Sequence, residues 1–168
     1  MRPTVQGERR ARSVVQAERR EQLIALAEAV AELAENRDIK AVGVHEVRDD
    51  LEIRPVLDTI IRRWTRLVPT TYTSAAALRA RRAKLHREHI VPCRVLVDRM
   101  IMNPAECRAL LETAVVIASV TEAEHRLLGG IYKDTPDLYK RMLKGSVARL
   151  PKRGMERYTA TGIAIQPT

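Results

Sequence analysis

The chain has 168 residues and a formal net charge of +9; 45% of its residues are hydrophobic, only 3% are aromatic, and there is no Phe. That is one domain's worth of chain, with a core that must be built from Leu, Val, Ile and Ala. No apolar run is long enough to cross a bilayer and no segment has the signal-peptide pattern. Two cysteines without CxxC spacing exclude a disulfide scaffold. The expectation is a cytoplasmic chain with reduced thiols, Cys93 and Cys107 acting as small buried hydrophobes.

The first predicted element is a long helix over about Glu8–Glu35. Leu23, Leu26, Val30 and Leu33 recur at 3-4-3 spacing, with Ala27 and Ala34 beside them, and predict the face that docks on the core. Residues 39–54 fit a short strand or an irregular segment and hold an isolated His45. Pro55 suits the first turn of a second helix, running to about Val68 with Leu57, Ile60, Ile61 and Trp64 inward. Trp64 continues the apolar stripe and so reads as a core anchor. Pro69–Thr73 reads as a linker. Ser74 is placed to cap a helix that starts at Ala75 and carries Arg79, Arg81, Arg82 and Lys84.

Leu85–Pro92 reads as an extended segment, because Pro92 keeps Val91 out of helical geometry. A helix follows and stops at Asn103–Pro104. Another runs from Pro104 to about Thr113, with Cys107, Leu110 and Leu111 inward. Ala114–Val120 is β-rich and apolar and predicts a strand. Thr121 and Glu124 match the capping-box spacing of a helix expected to end at Gly129–Gly130. Pro136–Leu143 predicts a helix stopped by Gly145, and Gly162–Ile165 a short strand.

The charge is uneven. No acid lies between Asp58 and Glu88, an interval with Arg62, Arg63, Arg66, Arg79, Arg81, Arg82, Lys84 and Arg87. The C-terminal part adds Lys152, Arg153 and Arg157 among others. Such a field attracts polyanions, nucleic acid foremost. Arg79, Arg81, Arg82, Lys84, Arg87, Lys152 and Arg153 are the candidate phosphate contacts, which position a backbone rather than read bases.

Two of the four histidines flank a carboxylate in His86-Arg87-Glu88-His89, and a third, His125, follows the predicted strand at 114–120. Imidazole titrates near neutrality and can take a proton from an attacking water. Imidazole with carboxylate can also hold a divalent ion. In an extended segment His86 and Glu88 share one face while Arg87 and His89 share the other. A bend before Pro92 would let Glu88 and His89 converge. No P-loop, GxGxxG, GxSxG or HExxH pattern offers a different chemistry.

Glu88-His89-Ile90-Val91-Pro92 resembles the (D/E)H-I/V-x-P signature of HNH, or His-Me finger, endonucleases. Val120–His125 resembles the entry to that ββα finger's closing helix. The resemblance spans about residues 85–130. It implies His89 as the general base, Glu88 beside it at the metal, and His125 as the terminal metal ligand, with His86 a further candidate. It also implies one divalent ion and cleavage of DNA, less often RNA; the ligand types admit Mg²⁺ or Mn²⁺, with Zn²⁺ a further candidate. The family's middle asparagine has no counterpart in Val115–Ser119.

The expected fold is therefore a mostly helical α+β protein. A small two-stranded sheet and a helix form the ββα unit, with a helical insert and a long N-terminal helix. Residues 1–73 form an N-terminal helical region, and 74–168 the HNH-like region with a basic extension, within one compact whole. The expected function is metal-dependent hydrolysis of phosphodiester bonds, acting as a monomer, a homodimer or part of a larger assembly. The alternative is a non-catalytic nucleic-acid-binding or regulatory protein, or a helical interaction protein of a phage or toxin–antitoxin kind.

Overall fold

The computed structural model describes residues 5–35, 53–80, 84–134 and 136–168, with 5–12, 35, 132–134 and 136 described as backbone only. His45, Arg81, Arg82 and nearly all of 39–54 lie outside the described residues.

Helix α1, Val5–Glu35, packs on α2, Ile53–Thr65. The buried face of α1 is Ile24, Ala27, Ala31 and Ala34, not the leucine stripe. Leu26 is 45% and Leu33 52% exposed, while Leu23 and Val30 are half-buried. The correction has a steric reason. Alanines let α1 approach the core closely, and the bulkier leucines one position away are pushed to the flank. Trp64 is buried in the core as expected, with Leu57, Ile60 and Ile61.

Strand β1, Tyr72–Ser74, occupies what reads as a linker. Ser74 then caps the short helix α3, Ala75–Arg79, accepting from the Ala77 N–H at 3.0 Å. Of the predicted basic row, Arg79 lies on that helix, and Arg81 and Arg82 are outside the described residues. Strand β2, Leu85–His89, carries both histidines, and α4, Cys93–Met102, follows. Residues 104–114 form one helical run, α5. It opens as 3-10 at Pro104–Glu106, is α at Cys107–Ala109 and closes as π at Leu110–Ala114. Strand β3, Ile117–Thr121, leads into α6, Glu122–Asp134. Helix α6 passes through Gly129 and Gly130 rather than ending there. Helix α7, Pro136–Leu143, ends before Gly145, whose φ of 87° suits only glycine without strain. A 3-10 turn at Val147–Arg149 leads to α8, Leu150–Ala160, a helix the glycine and proline content of the tail hides. Strand β4 is Ile165–Pro167.

The sheet has four strands, not two, in the order β2-β3-β1-β4. β3 is antiparallel to β2 and parallel to β1, and β4 is antiparallel to β1. The two extra strands are three residues each, too short to show a period-2 pattern. The 73/74 boundary falls inside β1, and one apolar cluster joins α1 and α2 to α4, α5 and α7. A second cluster of Ile90, Ala118, Val120, Leu128, Tyr158 and Ile163 joins the sheet to α6 and α8.

No helix among the described residues is long and apolar enough to cross a membrane.

Candidate functional site

The register of β2 on β3 decides where each site residue goes. His86 pairs with Val120 and Glu88 with Ala118, both in the cluster under α6 and α8. His89 pairs with Ile117, which belongs to the larger cluster on the other side. Strand alternation thus puts His86 and Glu88 on one face and His89 on the opposite one.

On the first face, β3 delivers α6 so that His125 lies in its first turn, over Glu88. The His125 Nδ1 and Glu88 Oε2 atoms are 2.7 Å apart, although 37 residues separate them in the chain. The second carboxylate oxygen, Oε1, accepts from Arg157 Nη2 at 3.1 Å. Arg157 is only 2% exposed and also donates to the carbonyls of His89 (2.9 Å), Ile90 (3.3 Å) and Leu128 (3.2 Å). It therefore works as a buried clamp, where a place in the C-terminal basic surface was expected. His86 stacks on His125 with ring centroids 4.8 Å apart and planes 6° from parallel. Its Nε2 lies against the Glu122 carboxylate in an ion-pair contact without hydrogen-bond geometry.

On the second face, His89 is half-buried between α2 and α4. Its Nε2 is 2.7 Å from Thr65 Oγ1, and its Nδ1 is 3.4 Å from Cys93 Sγ. The Thr65 hydroxyl already donates to the Ile61 carbonyl at 2.8 Å, so it accepts from His89. That assigns the proton to Nε2 and turns the Nδ1 lone pair toward the Cys93 thiol. Burial, with Arg62 and Arg157 adding to it, lowers the His89 pKa against the opposing pull of Glu88 and keeps the ring neutral. Burial first and the Asp58 carboxylate next push the Cys93 thiol up to about 12. Burial, then Glu28, pushes Cys107 up to about 12. Both thiols stay protonated at neutral pH. Iodoacetamide at pH 8 should therefore label the native chain at least about a hundredfold more slowly than the urea-unfolded chain, measured by mass spectrometry. Equal rates would show that these thiols are accessible and ionised.

Thr121 and Glu124 form the expected cap. Glu124 Oε2 accepts from the Thr121 N–H at 2.8 Å and the Thr121 hydroxyl at 3.0 Å. It also accepts from Ser74 Oγ at 2.6 Å, so one carboxylate ties the starts of α3 and α6 together. Glu124→Ala is expected to cost about 1–3 kcal/mol, since it leaves the buried Ser74 hydroxyl without its acceptor. A urea melt in which the variant matches the parent would contradict this.

The phosphate candidates divide. Arg79, Lys84 and Lys152 are exposed. Arg87 donates to the carbonyls of Thr65 (3.0 Å) and Val68 (2.7 Å), closing the end of α2. Arg153 donates to the carbonyls of Arg141 and Lys144 and closes the end of α7. These two arginines are held by structure, because open helix ends present carbonyls that need donors. Their sequence neighbourhood gives no sign of it.

Among the described residues no group of three or more His, Cys, Asp and Glu side chains is arranged to hold a metal ion. Two imidazole–carboxylate pairs come together, Glu88 Oε2 with His125 Nδ1 and His86 Nε2 with the Glu122 carboxylate. The two donors of either pair do not complete a zinc site, which takes at least three. The carboxylate is a donor of the kind Mg²⁺ or Mn²⁺ takes, while the imidazole is one that later transition metals such as Zn²⁺ take. His89, which the family resemblance puts beside the metal, has its ring on the far face of β2. Comparison with protein-family models, with curated proteins and with solved structures gave no match.

Proposed function

We propose that the β2–β3–α6 unit is a phosphodiester-cleaving centre for nucleic acid, with DNA as the favoured substrate. The contact of Glu88 with His125 carries this reading. A strand, an antiparallel partner and a helix place an acidic side chain and an imidazole together from the two segments that resemble the HNH pattern. Glu88 and His125 would hold a Mg²⁺ or Mn²⁺ ion. When bound, that ion would polarise the phosphate and stabilise the leaving oxygen.

The chain's own residues supply the rest. Arg157 fixes Glu88 through one oxygen and leaves the other toward His125. His86 backs the His125 ring by stacking. Arg79, Lys84 and Lys152 are free to meet phosphates. His89 is neutral, but its ring lies on the opposite face of β2 with Nδ1 turned to Cys93, so it does not reach a phosphate held at Glu88 and His125.

That last feature favours a second reading, a protein that binds nucleic acid without cutting it. One experiment separates the two. Purified chain with Mg²⁺ or Mn²⁺ is expected to nick supercoiled plasmid and to stop when chelator is added. Glu88→Gln and His125→Ala should each lower nicking about a hundredfold or more while circular dichroism stays unchanged, and His89→Ala, on the opposite face of β2, should change it only a few-fold. No nicking, with a chelator-insensitive gel shift that weakens steeply with salt, establishes the second reading.

A further inference from the structure

Between α1 and the C-terminal end of α2 lies a groove of about 450 Å³. Its floor is Leu23, Leu26 and Leu67, and its rim is Arg19, Arg63 and Arg66. All three arginines are exposed, and among the described residues none has a carboxylate partner. Among the described residues no acid lines the groove. Arg20 Nη2 donates to the Leu67 carbonyl at 2.8 Å and clips the two helices together, so the groove is formed in advance. Leu33, 52% exposed, lies two helical turns beyond Leu26 on the same helix, outside the groove's lining.

We propose that this groove docks an acidic amphipathic helix of a partner protein, independently of any hydrolytic activity. Its leucine-like face would cover Leu23, Leu26 and Leu67, and its flanking carboxylates would meet Arg19, Arg63 and Arg66. The charges choose the occupant. A second copy of this chain, at +9 overall, would bring two basic rims together. A nucleic-acid backbone would match the arginines but leave the leucines in water. An acidic helix with an apolar stripe satisfies both, which is the helix-in-groove mode of recognition.

The test uses the full chain and a fluorescein-labelled synthetic peptide of about four helical turns. Leucines at i, i+3, i+4 and i+7 spacing are flanked by glutamates, and a scrambled peptide of the same composition is the control. Polarisation should saturate with the patterned peptide and not with the scrambled one. Leu26→Glu, and separately Arg63→Glu with Arg66→Glu, should weaken binding about tenfold or more. Arg126→Glu, on the exposed side of α6, should leave it unchanged. All these positions are exposed, and circular dichroism checks that each variant is folded. Equal binding of the scrambled peptide, no binding of either peptide, or indifference to Leu26→Glu overturns the proposal. It also falls if Arg63→Glu with Arg66→Glu weakens duplex DNA binding while peptide binding is unaffected. A dimer in light scattering that Leu26→Glu dissolves would assign the groove to a second copy instead, and likewise overturns it.

Discussion

Gly154→Ala will destabilise this protein, while the same change at Gly129 or Gly130 will stabilise it. All three glycines lie inside helices, where alanine is ordinarily the better residue by about 0.5–1 kcal/mol. Nothing lies within 4 Å of a Cβ built on Gly129 or Gly130, so each substitution should realise that gain. A Cβ on Gly154 would sit 2.5 Å from the Ile90 carbonyl oxygen and 2.8 Å from its carbon. Ile90 cannot yield easily, because its N–H donates to the Val116 carbonyl at 2.9 Å. Helix α8 must therefore lift from the sheet, at a cost of about 1–3 kcal/mol beyond the lost helix gain. Urea melts of the three variants check the sign at each position. A stabilised Gly154→Ala would mean that α8 does not lie on Ile90.

Arg157→Met will be the most damaging single change at the candidate site. The guanidinium satisfies one Glu88 oxygen and three backbone carbonyls from inside the protein. Removing one partner of a buried ion pair costs about 3–5 kcal/mol, because the other charge is left without compensation. Part of that cost should be recovered by neutralising the partner. The double variant Arg157→Met with Glu88→Gln is thus expected to be more stable than the sum of the singles by at least about 1 kcal/mol in a denaturant double-mutant cycle. Arg157→Lys keeps the charge but lacks the fork that reaches four acceptors, so it should fall between parent and Met. Additive single effects would show that Arg157 acts on the backbone alone. If nicking is observed, Arg157→Met should reduce it at temperatures well below the melt.

What the sequence shows is what local patterns can encode. Helix α1, the buried face of α2 and the strand before His125 follow from apolar periodicity. The Thr121–Glu124 cap follows from its spacing, and Ser74 from its place before three alanines. The split of His86 and Glu88 from His89 follows from strand alternation alone. The meeting of Glu88 with His125 follows from two segments resembling one motif.

What stays hidden depends on distant parts of the chain. Helix α8 contains Pro151 and Gly154, which read as breakers. Pro151 is tolerated because it lies in the first turn, and Gly154 is required by the neighbouring strand. Arg157 looks like one more surface charge until the fold closes over it. Arg87 and Arg153 look like phosphate ligands, but each closes the carbonyl end of a helix that only tertiary structure brings near. On α1, alanines make most of the buried face and leucines the flank, because close packing on the core selects small apolar residues over large ones. Asp98 is buried against Arg54 and Tyr139, a polar network that no local pattern announces.

The clamp on Glu88 also limits how this centre can be inherited or transplanted. Its carboxylate is held by a side chain 69 residues further along, and that side chain reaches it only when α8 is seated on Ile90. A graft of residues 85–130 alone would carry the motif without the part that aims it. Any exchange of this unit between proteins must move the closing helix too, or find another cation to stand in its place.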